Sequence, residues 1–152
     1  MGAQDGTHME YQNILVCLDL RSGEAAQLLT RAARLAARDG QITALTVIET
    51  GTFDDAREAD AALEDEYWSR SAHLARLCSE VGQPGARGRV LVGDAASQIA
   101  AWAREQHCDL VVLGDHGPRT GRPLQTSTVD AALRQLCCDA LVVKTDPPSR
   151  QP

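Results

Sequence analysis

The chain has 152 residues, about the length of one domain, so one core carrying one site is the expectation. Its 43% hydrophobic and 24% charged residues are those of an ordinary globular protein, which argues against disorder, collagen and a disulfide miniprotein, and no apolar run approaches the roughly 20 residues of a membrane-spanning helix. Fifteen Lys plus Arg against 21 Asp plus Glu give a formal charge of -6, which weakens affinity for nucleic-acid phosphates and anionic membranes, and aromatics at 3% of the chain are too few for a base-stacking platform.

The elements follow in alternation. Residues 1–8 are polar and read as a tag or disordered extension, with Met9 as the expected natural start. Asn13 to Leu18 (NILVCL) is a short apolar run ending at Asp19, the pattern of a strand buried on both faces. Ser22 is a good N-cap for a helix whose stripe, Ala25, Leu28, Leu29, Ala32, Leu35 and Ala36, stops at Asp39-Gly40. Gln41 to Ile48 is the second strand, ended by Gly51. A long helix from about Asp54 to Val81 is written by Ala59, Leu63, Tyr67, Leu74, Leu77, Cys78 and Val81.

Arg89 to Val92 is a third strand, and Gly93-Asp94 turns it into a helix carrying Ala96, Ile99, Trp102 and Ala103. Asp109 to Leu113 is the fourth strand. After a loop bearing glycine and proline, a last helix from about Ser127 to Leu136 leads into the fifth strand, Ala140 to Lys144, and 146–152 reads as a disordered tail. Apolar strands alternating with helices predict an α/β protein, a parallel sheet with helices on both faces. Ligands of such sheets sit outside the carboxyl ends of the strands where strand order reverses. That confines the search to Asp19, Val47 to Gly51, Gly93-Asp94 and Gly114 onward.

Five cysteines, an odd count with no CxxC pair and no secretory signal, read as buried thiols in a reducing cytoplasm. Cys137-Cys138-Asp139 and His107-Cys108-Asp109 lack zinc-site spacing, so no metal is expected there. The turn after the first strand has no G-x-G-x-x-G, which argues against a Rossmann NAD or FAD site. The glycines stand instead after the fourth strand. Gly114 and Gly117 allow backbone N–H groups to approach an anion, Ser127 and Thr128 stand at a helix start where free N–H groups favour phosphate, and Arg119 and Arg122 against Asp115 make this loop positive within an acidic chain. The same residues also read as a turn followed by a cap, Ser127 with Asp130.

NILVCLDLRSGEAAQLL at the start, LTVIE after the second strand, and DLVVLGDHG followed by STV and ALVVK resemble the universal stress protein family over about residues 11 to 145, which makes 9–145 the expected single domain. The resemblance implies a Rossmann-like, adenine nucleotide α-hydrolase-like fold with strand order 3-2-1-4-5. Nucleotide-binding members carry G-x2-G-x9-G-(S/T). Gly114, Gly117 and Thr128 match it, and Ser127 replaces the third glycine, a Cβ where phosphate would approach. The resemblance further implies ATP or AMP as ligand, Asp19 beside the adenine or ribose, Val47 offering backbone hydrogen bonds to adenine, and Gly114, Gly117, Arg119, Ser127, Thr128 and Val129 around the phosphates. Asp19 and Asp115 could hold a bridging Mg2+. It implies a homodimer through the Ala140 to Lys144 edge, although Asp139 stands where the family has proline before that strand.

No catalytic triad can be assembled from the histidines. His8 falls in the extension, His73 on the polar side of the long helix and His107 before a strand. Only His116 lies in the candidate site, where it reads first as a loop residue. The expected function is a nucleotide-binding stress regulator with at most slow hydrolysis. The alternatives are a nucleotide-free dimeric interaction module and, further off, an enzyme of adenylyl transfer.

Overall fold

The computed structural model describes residues 10–20, 23–49, 56–115 and 128–144. In chain order they form β1 (Tyr11–Cys17), α1 (Ala25–Leu35), β2 (Ala36–Ile48), α2 (Ala56–Glu80), β3 (Arg87–Val92), α3 (Ala95–Glu105), β4 (Leu110–Asp115), α4 (Thr128–Gln135) and β5 (Asp139–Lys144). The strands make one sheet in the order β3-β2-β1-β4-β5, every neighbouring pair parallel.

The chain winds outward from β1 to β3 and then returns to the other side of β1 for β4 and β5. Because such crossovers share one hand, the reversal puts α1 and α2 on one face of the sheet and α3 and α4 on the other. Side-chain alternation records both faces. Ile14 and Val16 of β1 enter a core layer with Leu28, Leu29 and Ala32 of α1 and Leu74 and Cys78 of α2. Leu15 between them enters the other layer, with Ala96, Ile99 and Ala103 of α3 and Ala132 of α4. All three β1 side chains are fully buried, which is why this strand reads as an unbroken apolar run rather than an alternation.

Two expectations need correction. The helical stripe predicted to run to Asp39-Gly40 ends at Leu35, and the chain is extended from Ala36, with φ -75° and ψ 139°. The alanines there favour helix, but pairing of Ala36 with Tyr11 and burial of Ala37 in the extended chain outweigh that weak preference. Asp39-Gly40 therefore lies inside β2, at an irregularity where the register jumps from Tyr11↔Ala36 to Asn13↔Gln41. In α2, Tyr67, expected in the apolar stripe, is 39% exposed and stacks edge-on against the more exposed Trp68, ring centroids 5.3 Å apart. Leu74 and Cys78 supply the buried contacts instead. Ser22, Gly51, Asp54 and both chain ends lie outside the described residues.

The amino ends of the strands are tied by polar contacts. Asp109 accepts hydrogen bonds from the backbone N–H groups of Gln12 and Asn13 at 2.8 and 2.9 Å, and the Tyr11 hydroxyl donates to Asp139 at 2.9 Å. At the opposite end Asp94 caps α3, its carboxylate accepting from the Ser97 N–H at 3.0 Å. Hydrogen bonds from Ser97 hold the Asp94 carboxyl below its ordinary range. A depressed folded pKa means that this stabilisation is present above the unfolded pKa and is lost as pH falls through the folded one. Asp94→Ala should therefore lower the melting temperature at neutral pH, and the difference from the parent should shrink on acidification. A difference that persists at low pH would assign the effect to something other than the cap.

Candidate nucleotide site

The carboxyl ends of β1, β2 and β4 meet where the strand order reverses, the place a doubly wound sheet reserves for ligands. Two residues past the Cys17↔Leu45 pair the register brings Asp19 level with Val47, and three past Val16↔Val112 it brings Asp19 level with Asp115. The Leu18 N–H donates to the Leu45 carbonyl at 2.8 Å and extends the ladder one residue beyond the strand. Asp19 is half-buried at this edge. Residues from three separate strands thus converge at one end of the sheet.

Val47 points its side chain toward the α3 and α4 face, partly buried. Its carbonyl accepts a hydrogen bond from Arg70 Nη1 at 3.0 Å, and the Thr46 hydroxyl accepts from the same nitrogen at 3.3 Å. Arg70 Nε donates to Glu66 at 2.6 Å. One of the two lone pairs of the Val47 carbonyl is therefore engaged, leaving capacity for one further donor. Arg70 was not singled out in the sequence. Its i,i+4 pairing with Glu66 was visible there, but its reach from α2 to the end of β2 required the packing.

Gly114 sits in β4 opposite Val143. A Cβ built on it would lie 3.0 Å from Leu28 Cδ1 of α1, so this glycine has a packing cause whatever binds nearby. Asp115, which ends β4, is within 3.4 Å of Lys144 Nζ on the neighbouring strand. Thr128 opens α4 and is exposed, Val129 is half-buried against the α3 and α4 core layer, and Asp130 places an acidic group in the first turn. Gly117, Arg119, Ser127 and His116 lie outside the described residues. The structure therefore brings Asp19 and Val47 to the same end of the sheet as Gly114 and Asp115.

An open parallel sheet wound in both directions from its central strand, with polar residues gathered at the reversal point, defines a Rossmann-like protein of the adenine nucleotide α-hydrolase-like fold. The universal stress protein family model matches residues 10–144. A Staphylococcus epidermidis protein assigned to the same family is 30% identical over 145 residues, covering 91% of this chain and 87% of its own. The chain belongs to the universal stress protein family. Among solved structures, UspA from Lactobacillus plantarum superposes with a TM-score of 0.69 at 24% identity, over 88% of this chain and 98% of that one. A universal stress protein in complex with cAMP gives 0.66 at 21% identity, over 90% and 98%, and matched chains from Archaeoglobus fulgidus and Arabidopsis thaliana hold dAMP and AMP.

Proposed function

We propose that this chain, as a single domain over 9–145, is an adenine-nucleotide-binding regulator of the stress response, acting as a homodimer in the cytoplasm with ATP or AMP at the reversal point of its sheet. The observation that carries the reading is the convergence of Asp19, Val47 and Asp115 from three strands on one end of the sheet, in a family whose solved members include chains holding cAMP, dAMP and AMP. Asp19 would border the ribose and adenine, and the Val47 backbone would meet the adenine edge. Gly114, Gly117, Arg119, Ser127, Thr128 and Val129 would surround the phosphates near the amino end of α4, where unpaired N–H groups favour anions. Asp19 and Asp115 would be the carboxylates to hold a Mg2+, an ion that takes one or two carboxylates along with phosphate oxygens and would offset phosphate charge. Ser127 in place of glycine and Asp130 in the first turn both work against the phosphate end.

The dimer follows from β5, an end strand of the sheet, whose Leu141 and Val142 are only half-buried. Such an edge is a template for another chain, and a second copy through Ala140 to Lys144 would cover it. A second reading, a nucleotide-free dimeric interaction module, is favoured by two features. Arg70 already holds the Val47 carbonyl, and Gly114 has its own packing reason.

Calorimetric titration with ATP and AMP separates the two readings. Saturable heat is expected from the parent chain, together with at least about a tenfold loss of affinity in Gly117→Val, a change of about 1.4 kcal/mol, without a change in its circular dichroism. No heat and no thermal shift at millimolar nucleotide would remove the regulator reading and leave the module.

A further inference from the structure

The end of the sheet opposite the candidate nucleotide site carries a cleft of about 200 Å³ whose lining includes Arg104 of α3, His107 and Cys108 of the turn into β4, and Gln135, Cys137 and Cys138 between α4 and β5. Three of the chain's five cysteines thus share one open cleft. Topology brings them together, because Leu110 pairs with Asp139 and so sets the two preceding turns side by side. His107 has φ 54°, a left-handed turn, and the Cys108 N–H donates to the Ala103 carbonyl at 2.9 Å. These contacts pin Cys108 beneath α3. The three thiols differ in access: Cys137 is exposed, Cys138 is half-buried and Cys108 is buried in the α3 and α4 core layer. No group of three His, Cys, Asp or Glu among the described residues is arranged to hold a metal ion.

We propose that this cleft is an S-thiolation site, in which Cys137 takes up one sulfur of an anionic low-molecular-weight disulfide and Cys108 then displaces the small thiol to close a protein disulfide between the two turns. In the first step the Cys137 thiolate attacks one sulfur of RSSR, forms Cys137-S-S-R and expels RS⁻, which accepts the proton that Cys137 gave up. In the second, the Cys108 thiolate attacks the Cys137 sulfur, forms the protein S–S bond and expels the second RS⁻, protonated in turn. Two protein thiols are oxidised and one small disulfide is reduced to two thiols.

The geometry sets the order of the steps. Exposure makes Cys137 the entry point, and Arg104 in the same cleft offers a cation to the carboxylates of such a ligand. Burial, with Cys138 and Asp109 adding to it, pushes the Cys108 thiol up to about 11, so it does not react first. Burial and the carboxylates of Asp139 and Asp109 likewise push up the Cys138 thiol. The greater intrinsic nucleophilicity of so weak an acid only partly offsets its small thiolate fraction at neutral pH, so the resolving step rests on the closeness of the two turns and is the slower of the two. Closure between Cys137 and Cys138 would instead need a ring spanning a single peptide bond, against its trans planarity.

The test uses the full, reduced chain treated with glutathione disulfide at neutral pH, quenched by alkylation and mapped after trypsin. Glutathione is expected first on the peptide spanning 135–144, followed by a link between that peptide and the one spanning 105–119. Cys137→Ser should reduce uptake by about tenfold or more, since only weakly ionised thiols then remain in the cleft. Cys108→Ser should stop at the mixed disulfide. Because Cys108 is buried, the parent peptide map decides alone if that variant misfolds. Labelling of Cys17 or Cys78 as fast as Cys137, a link confined to Cys137 and Cys138, or no adduct would each overturn the proposal.

Discussion

Gly40→Ala is expected to lower the unfolding free energy by about 2 kcal/mol, as an overpacked site with no free side-chain end to yield. The added Cβ would lie 2.7 Å from the Tyr11 carbonyl oxygen and 3.1 Å from both the nitrogen and the carbonyl oxygen of Ala37. All three are main-chain atoms held by the β1 and β2 pairing and by burial of Ala37. Relief would require the opening of β2 to part from Tyr11. At a urea slope of about 2 kcal/mol/M the midpoint should fall by about 1 M. Gly85→Ala is the control: nothing lies within 4 Å of its added Cβ, and it should be neutral or stabilising by about 0.5 kcal/mol through the unfolded chain. Equal midpoints for the two variants would show that β2 does not begin at Ala36.

That position also marks where sequence reading reached its limit. The helix stripe of α1, the apolar runs of β1 and β4 and the turn at Gly93-Asp94 into α3 were legible because each is written by near neighbours: periodicity, burial on both faces, and a glycine leading into an apolar stripe. Asp39-Gly40 carries the same signal whether it ends a helix or kinks a strand. Only the pairing with Tyr11, distant in sequence, decides between them. Tyr67 was misplaced for a related reason, since α2 is far longer than the sheet edge it covers and a stripe drawn along the whole helix overstates the contact.

The candidate site divides in the same way. Asp19, Val47 and Gly114 were found because strand ends in a parallel sheet are a general ligand location. The adenine role of Val47 came from family resemblance, and Arg70, which grips its carbonyl from α2, depends on a contact 23 residues away in sequence. The thiol cleft was split in the sequence into two separate triplets, His107-Cys108-Asp109 and Cys137-Cys138-Asp139. The β4 and β5 pairing joins them. In the folded chain Asp109 is committed to the backbone of β1, a role that its neighbours in sequence did not suggest.

A double-mutant cycle on Gly114 and Leu28 should separate packing from ligand binding at the glycine motif. Gly114→Ala brings a Cβ to 3.0 Å from Leu28 Cδ1, and Leu28, 3% exposed between α1 and the sheet, has no solvent to swing into. A loss of about 1 kcal/mol is expected, overpacking being partly offset by the backbone entropy that alanine saves. Leu28→Ala alone should lose about 3 kcal/mol through the cavity it leaves. In the double variant the alanine methyl occupies part of that cavity, so the combined loss should fall short of the sum by about 1 kcal/mol, well beyond the scatter of independent sites. Strict additivity would mean that Gly114 and Leu28 do not meet. Because the first glycine of the motif is thus required by α1 with or without a nucleotide, its presence weighs little in favour of binding. Thr128, exposed where α4 opens, and Gly117 are the motif positions where a loss of nucleotide affinity at unchanged stability would be informative.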